Sequence, residues 1–394
     1  MALTLWSAAR GRSDGGPGVA ASQARRRRGR RWVPAAMVVL TTVGSAIGVA
    51  SPAGTASPTW KIVPTPNPAG SIDAKFEAVS CTSPTNCFAV GEYATSTSGN
   101  LTLVERWNGT KWSIVASPNP VNSTDDRLSS VSCTSTTSCF AVGRYGSNSL
   151  GVFRGLIERW NGAKWSIVPS PNEGTSEMYL SGVSCATATS CFAVGYYNGF
   201  PGGGVFERWA GSRWSLTAPM QVDPTGVSCA GPTFCIAVGA QGLLFPWIDR
   251  WDGSTWSTVT VPSLTERSGD LLGVSCSSAT NCIAVGQTDL SAGHAPTLTV
   301  RWNGKRWSVV ASPNPAESFL LGVSCASAAS CIATGGFLER WNGTRWSILA
   351  YPDVPPGTSP WASGAVSCTS ATFCMTVSYQ NSGRLLTTLA ARYA

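Results

Sequence analysis

Histidine is almost absent from this chain, since His294 is the only one among 394 residues. It lies in a loop-like stretch, Ser291 to Pro296, without a nearby serine or cysteine that it could activate. The short sequence phrases of α/β-hydrolases, P-loop proteins, dinucleotide-binding domains and zinc peptidases are also missing. We therefore expect no catalytic residue, no metal site and no cofactor.

Long apolar runs are scarce as well, and the one that bears on a membrane, Val33 to Ala50, has 18 residues broken by threonine, serine and glycine. Eight arginines between Arg10 and Arg31 precede it, and small residues follow up to Ala56. This order is typical of a secretory signal, and the run is a poor spanning helix. We expect residues 1–56 to be a cleaved export signal and linker of a secreted or cell-surface protein. A retained anchor is the alternative, and only then would a membrane be a partner.

Without residues 1–56 the chain has almost no net charge. The whole chain has 28 Lys and Arg against 20 Asp and Glu, a net charge of +8. Residues 1–56 hold eight arginines and one aspartate, so the rest has 28 − 8 = 20 cations and 20 − 1 = 19 carboxylates, or about +1. A nearly neutral remainder predicts no nucleic-acid partner.

What the chain does contain is a repeat that fills residues 57–394, which we interpret as one domain. Each of seven copies has a C-x5-C pair and an apolar run, and six copies continue into W-x4-W. The first cysteines lie 52, 52, 44, 47, 49 and 43 residues apart. Such a period indicates one supersecondary unit per repeat, each burying its neighbour.

Within the first repeat, four β-rich runs are separated by Gly, Asn, Ser and Pro: Phe76–Cys81, Cys87–Tyr93, Leu101–Trp107 and Lys111–Val115. Asn108-Gly109 between the last two predicts a type I′ turn, in which both central residues have positive φ. Four strands in a radially repeated unit are typical of a propeller blade. We predict an all-β chain folded as a seven-bladed β-propeller of four-stranded blades.

The two ends of the repeat array complement each other. Arg392-Tyr393 stands where other repeats have the Arg-Trp that ends strand three, so the seventh repeat lacks its fourth strand. Residues 60–68 read W-K-I-V-P-T-P-N-P and match the missing piece, W-S-I-V-A-S-P-N-P. The amino-terminal strand is predicted to complete the last blade and close the ring, which removes two exposed sheet edges. We expect a monomer.

The repeat resembles the kelch and galactose-oxidase type of propeller. C-F-A-V-G at Cys87–Gly91 matches that family's apolar strand before glycines, and Glu105–Val115 matches its aromatic, turn and tryptophan. The resemblance departs at the cysteine pairs, and a galactose-oxidase copper site would need more histidines. The N-G-x-x-W phrase also resembles the Asp-box of sialidase-like propellers.

The cysteine pairs flank the loop between strands one and two, and six residues of separation put both side chains on one face of a hairpin. In an exported chain this predicts disulfides, with zinc as the alternative. The predicted bonds join Cys81–Cys87, Cys133–Cys139, Cys185–Cys191, Cys229–Cys235, Cys276–Cys282, Cys325–Cys331 and Cys368–Cys374.

Tryptophan pairs such as Trp107/Trp112 also share one face of their hairpin. We expect them to pack between blades, and sugar stacking on exposed indoles is the alternative. Glu105-Arg106, before the first tryptophan, recurs in other repeats. We interpret these residues as ion pairs at the strand surface or between blades.

Alternating strand directions place the cysteine loop and the Asn-Gly turn on one face, and the loops after strands two and four on the other. Only the second set varies in length, and binding sites are usually built on such loops. Tyr93, Tyr145, Tyr196 and Tyr197 follow strand two there and are the candidate ligand-binding residues. Alternatively, they cover the blade tops.

These patterns predict an exported binding module for a glycan or protein ligand at the cell surface, without catalysis. A carbohydrate-active hydrolase or lyase and a structural envelope protein are the alternatives. A glycosidase needs two carboxylates at a suitable separation. Carboxylates outside the repeated positions include Glu92, Asp125, Asp126, Glu173, Glu177, Asp223, Asp270, Asp289 and Asp353.

Overall fold

The computed structural model describes residues 58–147, 152–171, 177–198, 203–217, 222–242, 245–260, 268–288, 296–315, 319–352, 364–381, 383 and 385–394. These residues form 28 strands and no helix, which confirms the all-β prediction. In this part of the chain no helix is long and apolar enough to span a membrane. The predicted export signal, Glu173, Asp289, His294 and Asp353 lie outside the described residues.

The strands follow one another in sets of four, each set an antiparallel meander. The bounds are β1 Trp60–Val63; in the first repeat β2 Ser71–Ser83, β3 Asn86–Thr95, β4 Asn100–Trp107 and β5 Trp112–Ile114; in the second β6 Arg127–Ser135, β7 Ser138–Ser147, β8 Val152–Trp160 and β9 Trp165–Ile167; in the third β10 Glu177–Thr187, β11 Ser190–Asn198, β12 Gly203–Trp209 and β13 Trp214–Leu216; in the fourth β14 Asp223–Gly231, β15 Phe234–Gln241, β16 Phe245–Trp251 and β17 Trp256–Thr258; in the fifth β18 Gly269–Ser278, β19 Asn281–Thr288, β20 Thr297–Trp302 and β21 Trp307–Val309; in the sixth β22 Leu320–Ser327, β23 Ser330–Gly335, β24 Leu338–Trp341 and β25 Trp346–Leu349; in the seventh β26 Ala365–Ser370, β27 Phe373–Asn381 and β28 Leu386–Tyr393.

The seventh repeat takes its fourth strand from the other end of the chain. β1 pairs antiparallel with β28, and Trp60 stands opposite Tyr393. Their ring centroids lie 5.2 Å apart, slightly closer than the 5.6 to 6.0 Å of the tryptophan pairs in the other repeats. Asn67 extends the match, because its Oδ1 accepts hydrogen bonds from the backbone N–H and hydroxyl of Thr388. The predicted pairing of the amino-terminal segment with the last repeat is confirmed.

The turn after strand three differs from the predicted type I′ turn. Trp107 pairs directly with Trp112, so four residues form the loop. Gly109 has a φ of 98°, whereas Asn108 is not among the residues with positive φ. Asn108 instead accepts hydrogen bonds at Oδ1 from the backbone N–H groups of Thr110 and Lys111. The side-chain carbonyl of Asn108 thus accepts the hydrogen bonds of the backbone N–H groups in the turn. Asparagine therefore suits this position although its own φ is not positive.

All fourteen cysteines form the predicted disulfides within their repeats, and no thiol is left for zinc. The two cysteines of a pair stand opposite each other in the sheet, for example Cys81 and Cys87, with Cα atoms 4.0 Å apart. Seven disulfides indicate that the protein folds in an oxidising environment.

A set of hydrogen bonds links the first strands of neighbouring repeats. The backbone N–H of each first cysteine donates to the hydroxyl of the serine that precedes the first cysteine of the neighbouring repeat. The bonds run from Cys133 to Ser80, Cys185 to Ser132, Cys229 to Ser184, Cys276 to Ser228, Cys325 to Ser275, Cys368 to Ser324, and Cys81 to Ser367. The last bond joins the seventh repeat to the first. Sequence reasoning missed these serines, although each stands in a V-S-C phrase.

The core lies between the repeats and contains the tryptophan pairs. Trp160 and Trp165 of the second repeat pack on Phe88 of the first, with ring centroids 5.2 and 5.4 Å away. Equivalent clusters fill the other junctions, including the one where Phe373 and Met375 meet Phe76 of the first repeat. The first tryptophan of each pair is at most 9% exposed, which confirms packing between repeats and leaves little indole surface for a sugar.

The Glu-Arg dipeptides are not ion pairs in the described part of the chain, so that interpretation was wrong. Glu158 is fully buried against the preceding repeat, where Ser117 donates its hydroxyl to the carboxylate at 2.9 Å. Arg159 points the other way and lies 5.4 Å from the ring centre of Trp209 in the following repeat. Consecutive strand residues face opposite sides, so the carboxylate and the guanidinium of one dipeptide cannot meet. Each group has another partner, Ser117 of the preceding repeat for Glu158 and Asn86 of the same repeat for Arg106. Burial raises the pKa of Glu105 to about 8 and, helped by nearby Asp126, that of Glu158 to about 8.

Candidate functional site

The structure separates two faces, as the strand directions predicted. The indole N–H of Trp107 donates to the carbonyl of Pro84 at 3.0 Å, which ties the Asn-Gly turn to the cysteine loop of its repeat. The serine–cysteine bonds join the same end of successive first strands, so all seven cysteine loops lie on one side. We call this side, with the cysteine loops and four-residue turns, the turn face. The opposite side, with the loops after strands two and four, is the loop face.

The four candidate tyrosines lie towards the loop face but do not form one platform. Tyr93, Tyr145 and Tyr197 occupy equivalent strand positions, and each packs, half-buried, against a different core cluster. Tyr196 precedes Tyr197 and therefore points to the other side of the strand. It is 38% exposed, which makes it the tyrosine of this set with a ring open to a ligand.

An aromatic ladder supports Tyr196. Its ring stacks on that of Tyr179 with centroids 5.1 Å apart and planes inclined by 11°. Tyr179 also contacts Phe153 at 5.6 Å, and the guanidinium carbon of Arg144 lies 4.3 Å from the centre of the Phe153 ring. Asp125 holds Arg144 through a 2.7 Å ion pair. The second and third repeats thus fix the orientation of the exposed ring.

Polar groups border the same ladder. The carboxylate oxygen Oε2 of Glu177 accepts hydrogen bonds from the hydroxyl of Tyr179 at 2.9 Å and from the side-chain amide of Asn198 at 2.8 Å. Burial and the hydrogen bond to Glu177 raise the pKa of Tyr179 to about 12, so its hydroxyl stays protonated and donates. Sequence reasoning missed Tyr179 as a site residue, because only the pairing of β10 with β11 puts it opposite Tyr196.

A pocket of about 470 Å³ opens beside the ladder, between the third and fourth repeats. Two tyrosines line it together with residues that have amide, carboxylate and hydroxyl groups: Ser181, Tyr196, Tyr197, Asn198, Asp223, Pro224 and Thr225. Flat rings with a few polar groups suit the recognition of an oriented ligand. Tyr93 and Tyr145 are not part of this lining.

A second cavity, of about 300 Å³, lies where the first strands of all seven repeats meet. Small and apolar residues line it, and Glu77 is its one ionisable lining residue in the described chain. Burial, and after it the charge of Glu92, raise the pKa of Glu77 above its ordinary value, although Lys75 and Arg127 oppose this.

Three of the carboxylates that a glycosidase could have used, Glu92, Asp125 and Asp126, are tied to other groups. Lys75 binds Glu92 at 2.7 Å, and Arg144 binds Asp125. Asp126 is fully buried beside the hydroxyl of Ser123, and burial raises its pKa to about 6. This geometry does not favour the hydrolase or lyase alternative.

Comparison with known proteins defines the fold. No known family matches the sequence, and no curated protein is similar to it. Among solved structures, YCF48 bound to a D1 peptide superposes with a TM-score of 0.52 at 13% identity, covering 85% of this chain and 96% of that one. The Pan2 WD40 domain of Neurospora crassa gives 0.51 at 8%, covering 81% and 89%. A polysaccharide lyase, the PL25 ulvan lyase, gives 0.50 at 8%, covering 81% and 94%.

At this level of identity the likeness concerns the fold alone. Together with the repeated four-stranded sheets, it shows that this protein is an all-β protein of the β-propeller class. The kelch resemblance stays a prediction.

Proposed function

We propose that the protein is an exported, seven-bladed β-propeller that closes into a ring and binds a ligand without chemical turnover. Residues 57–394 form the propeller, and residues 1–56 serve as the export signal, cleaved or retained as an anchor. Support for closure comes from the pairing of β1 with β28 and from the bond of Cys81 to Ser367. The seven disulfides support export.

The ligand binds at the loop-face pocket beside Tyr196. The observation that carries this proposal is an exposed ring held by a stacked partner, Tyr179, at the edge of a pocket that also presents Asn198 and Asp223. A rigid ring costs little conformational entropy when it is covered, and it offers a flat apolar face to a sugar or to a proline or aromatic side chain.

The ligand is a glycan or a protein segment at the cell surface. A peptide is bound in the YCF48 structure, which supports a protein ligand on the same kind of scaffold. The stacked tyrosines beside an asparagine and a carboxylate support a sugar. We propose a monomer in which Tyr196 contacts the ligand directly and Tyr197 lines the same pocket, whereas Tyr93 and Tyr145 pack on core clusters outside it.

A glycan array and a displayed peptide library test the proposal with the same protein. Tyr196→Ala should weaken binding of the selected ligand about fivefold, the loss of one stacked ring. Tyr379 is a matched control, because it too lies five residues after the second cysteine of its repeat. Tyr379→Ala should bind like the unmodified protein. Equal losses in both variants, or steady consumption of a polysaccharide by the unmodified protein, would contradict the proposal.

A further inference from the structure

Exposed cations cluster in the turns of the turn face. In five of the six four-residue turns a lysine or arginine stands just before the second tryptophan, and one turn has two. All are exposed: Lys111, Lys164, Arg213, Lys305, Arg306 and Arg345. Within the described chain none forms an ion pair. In the turn of the fourth repeat Thr255 stands at that position, and Asp252, at the start of this turn, is the one exposed carboxylate in the six turns.

A second set of cations lies one residue before the aromatic residue that ends strand three. Its members are Arg106, Arg159, Arg208, Arg250, Arg301, Arg340 and Arg392, all half-buried. Arg106 is typical: its guanidinium lies 5.9 Å from the ring centre of Trp160 and donates to Asn86 at the start of β3. Packing against the rings and the cysteine loops keeps these charges near the turn face.

Negative charge does not balance this face. The carboxylates next to these arginines, such as Glu105 and Glu158, are fully buried between repeats. Described carboxylates such as Glu92, Glu177 and Asp223 lie towards the other face. Although residues 57–394 have a net charge near zero, the turn face is therefore positively charged, and the described carboxylates outside the repeated positions lie mainly towards the loop face.

The loops between these cations have small, mostly hydroxyl-bearing residues, as in Ser83-Pro84-Thr85 and Ser135-Thr136-Thr137. The cysteine loops, all within the described residues, expose no large apolar side chain that could insert into a bilayer. The lysine and arginine side chains of the turn face can all contact one flat anionic layer at the same time. A single anionic polymer chain would contact only some of them.

The chain also enters the propeller at this face. Trp60 pairs with Tyr393 at the turn end of β28, and Thr59 exchanges backbone hydrogen bonds of 3.3 Å with Ala394. In sequence, the apolar run Val33 to Ala50 ends nine residues before Thr59. The first described residues of the propeller therefore lie at its basic face.

We propose that the turn face docks on an anionic lipid membrane surface. Lysine and arginine side chains of the ring lie against the lipid phosphates, and the loop face with its Tyr196 pocket points away from the membrane. The attraction is electrostatic, so it weakens as salt screens the charges. This docking is independent of whether the pocket binds a ligand.

Vesicle co-sedimentation tests the docking. The protein should bind vesicles of phosphatidylcholine mixed with phosphatidylglycerol and dissociate from them as the salt concentration rises. It should not bind vesicles of phosphatidylcholine alone. Replacing Lys164, Arg213 and Arg345 together by glutamine should lower partitioning about a hundredfold at low salt. A matched control replaces Lys75, Arg127 and Arg154 by glutamine, which removes the same charge away from the turn face and should leave partitioning within about twofold.

Equal losses in the two triple variants would overturn the proposal, because binding would then follow net charge and not this face. Failure to bind the anionic vesicles would overturn it as well. If the protein bound soluble heparin or duplex DNA but not vesicles, the turn face would be a polyanion site instead of a membrane surface.

Discussion

The hydroxyl oxygen of Ser367 accepts a hydrogen bond of 2.9 Å from the backbone N–H of Cys81, although 286 residues separate them in sequence. Ser80, next to Cys81, accepts the equivalent bond from Cys133. The same kind of hydrogen bond thus joins the first repeat to the seventh repeat on one side and to the second repeat on the other. A short V-S-C phrase therefore acts as a connector between repeats.

Removing this connector should cost about 1 kcal/mol of unfolding free energy at each junction, the value of one hydrogen bond. Ser132→Ala tests an internal junction, and Ser367→Ala tests the junction between the two ends of the array. Chemical denaturation should give similar losses for both, while the exposed Ser113→Ala stays within about 0.5 kcal/mol of the unmodified protein. A normal loss at Ser132 with none at Ser367 would mean that the ends are not joined in solution.

Deleting residues 57–68 should leave β28 as an open sheet edge and cause aggregation. Light scattering and gel filtration would reveal it. Adding a peptide of residues 57–68 should restore a monomer, because β1 pairs with β28 through backbone hydrogen bonds that need no covalent link. Lys61→Ala, a change at an exposed position of β1, should not aggregate. A monomeric deletion variant would argue against this role of β1.

Stability should fall as pH rises from about 5 to about 8. Burial raises the pKa of Glu105 and of Glu158 from 4.5 to about 8, so the folded protein keeps protons that the unfolded chain releases. The stabilisation is complete below pH 4.5 and is lost as pH rises through the folded pKa, by at most about 1.4 kcal/mol per pH unit for each carboxyl.

Melting temperatures recorded between pH 5 and pH 8 would check this dependence. Glu105→Gln, which keeps the shape without the titration, should flatten the curve. An unchanged slope in that variant would show that other groups cause the dependence.

Replacing one cysteine pair, such as Cys133 and Cys139, by serine should lower the unfolding free energy by about 2 kcal/mol, since the bridge closes a short loop. The variant should fold, because neighbouring repeats still bury the hairpin. Peptide mapping without reduction should recover the other six links unchanged. Scrambled links in the remaining repeats would mean that the pairs depend on one another during folding.

Local patterns in the sequence predicted much of the fold, because their consequences are local. The five residues between Cys81 and Cys87 allow only a tight hairpin, and the structure has it. The match of residues 60–68 to the fourth strand of other repeats predicted the partner of β28, since backbone pairing needs only a strand of the right length and pattern.

The candidate site was predicted less well. The four tyrosines all stand near the end of the second strand of their repeats. Because side chains alternate along a strand, Tyr196 nevertheless points to one side and Tyr197 to the other. The residue that supports Tyr196 is Tyr179 on the neighbouring strand. A register shift at Leu180 and Gly182 lies next to this pair, and sequence spacing alone does not reveal such a shift.

The sequence by itself determined the repeat, its strands, its disulfides and the strand that completes the last repeat, because each depends on contacts between nearby residues or on one recognisable phrase. Only the tertiary structure decided how the charges act. Packing repeat against repeat buried Glu105 and Glu158, stacked the arginines on rings and collected the turn cations on one face. Whether a charged side chain is buried, and on which face it lies, depends on residues of neighbouring repeats. A count of charged residues along the chain contains no information about these contacts.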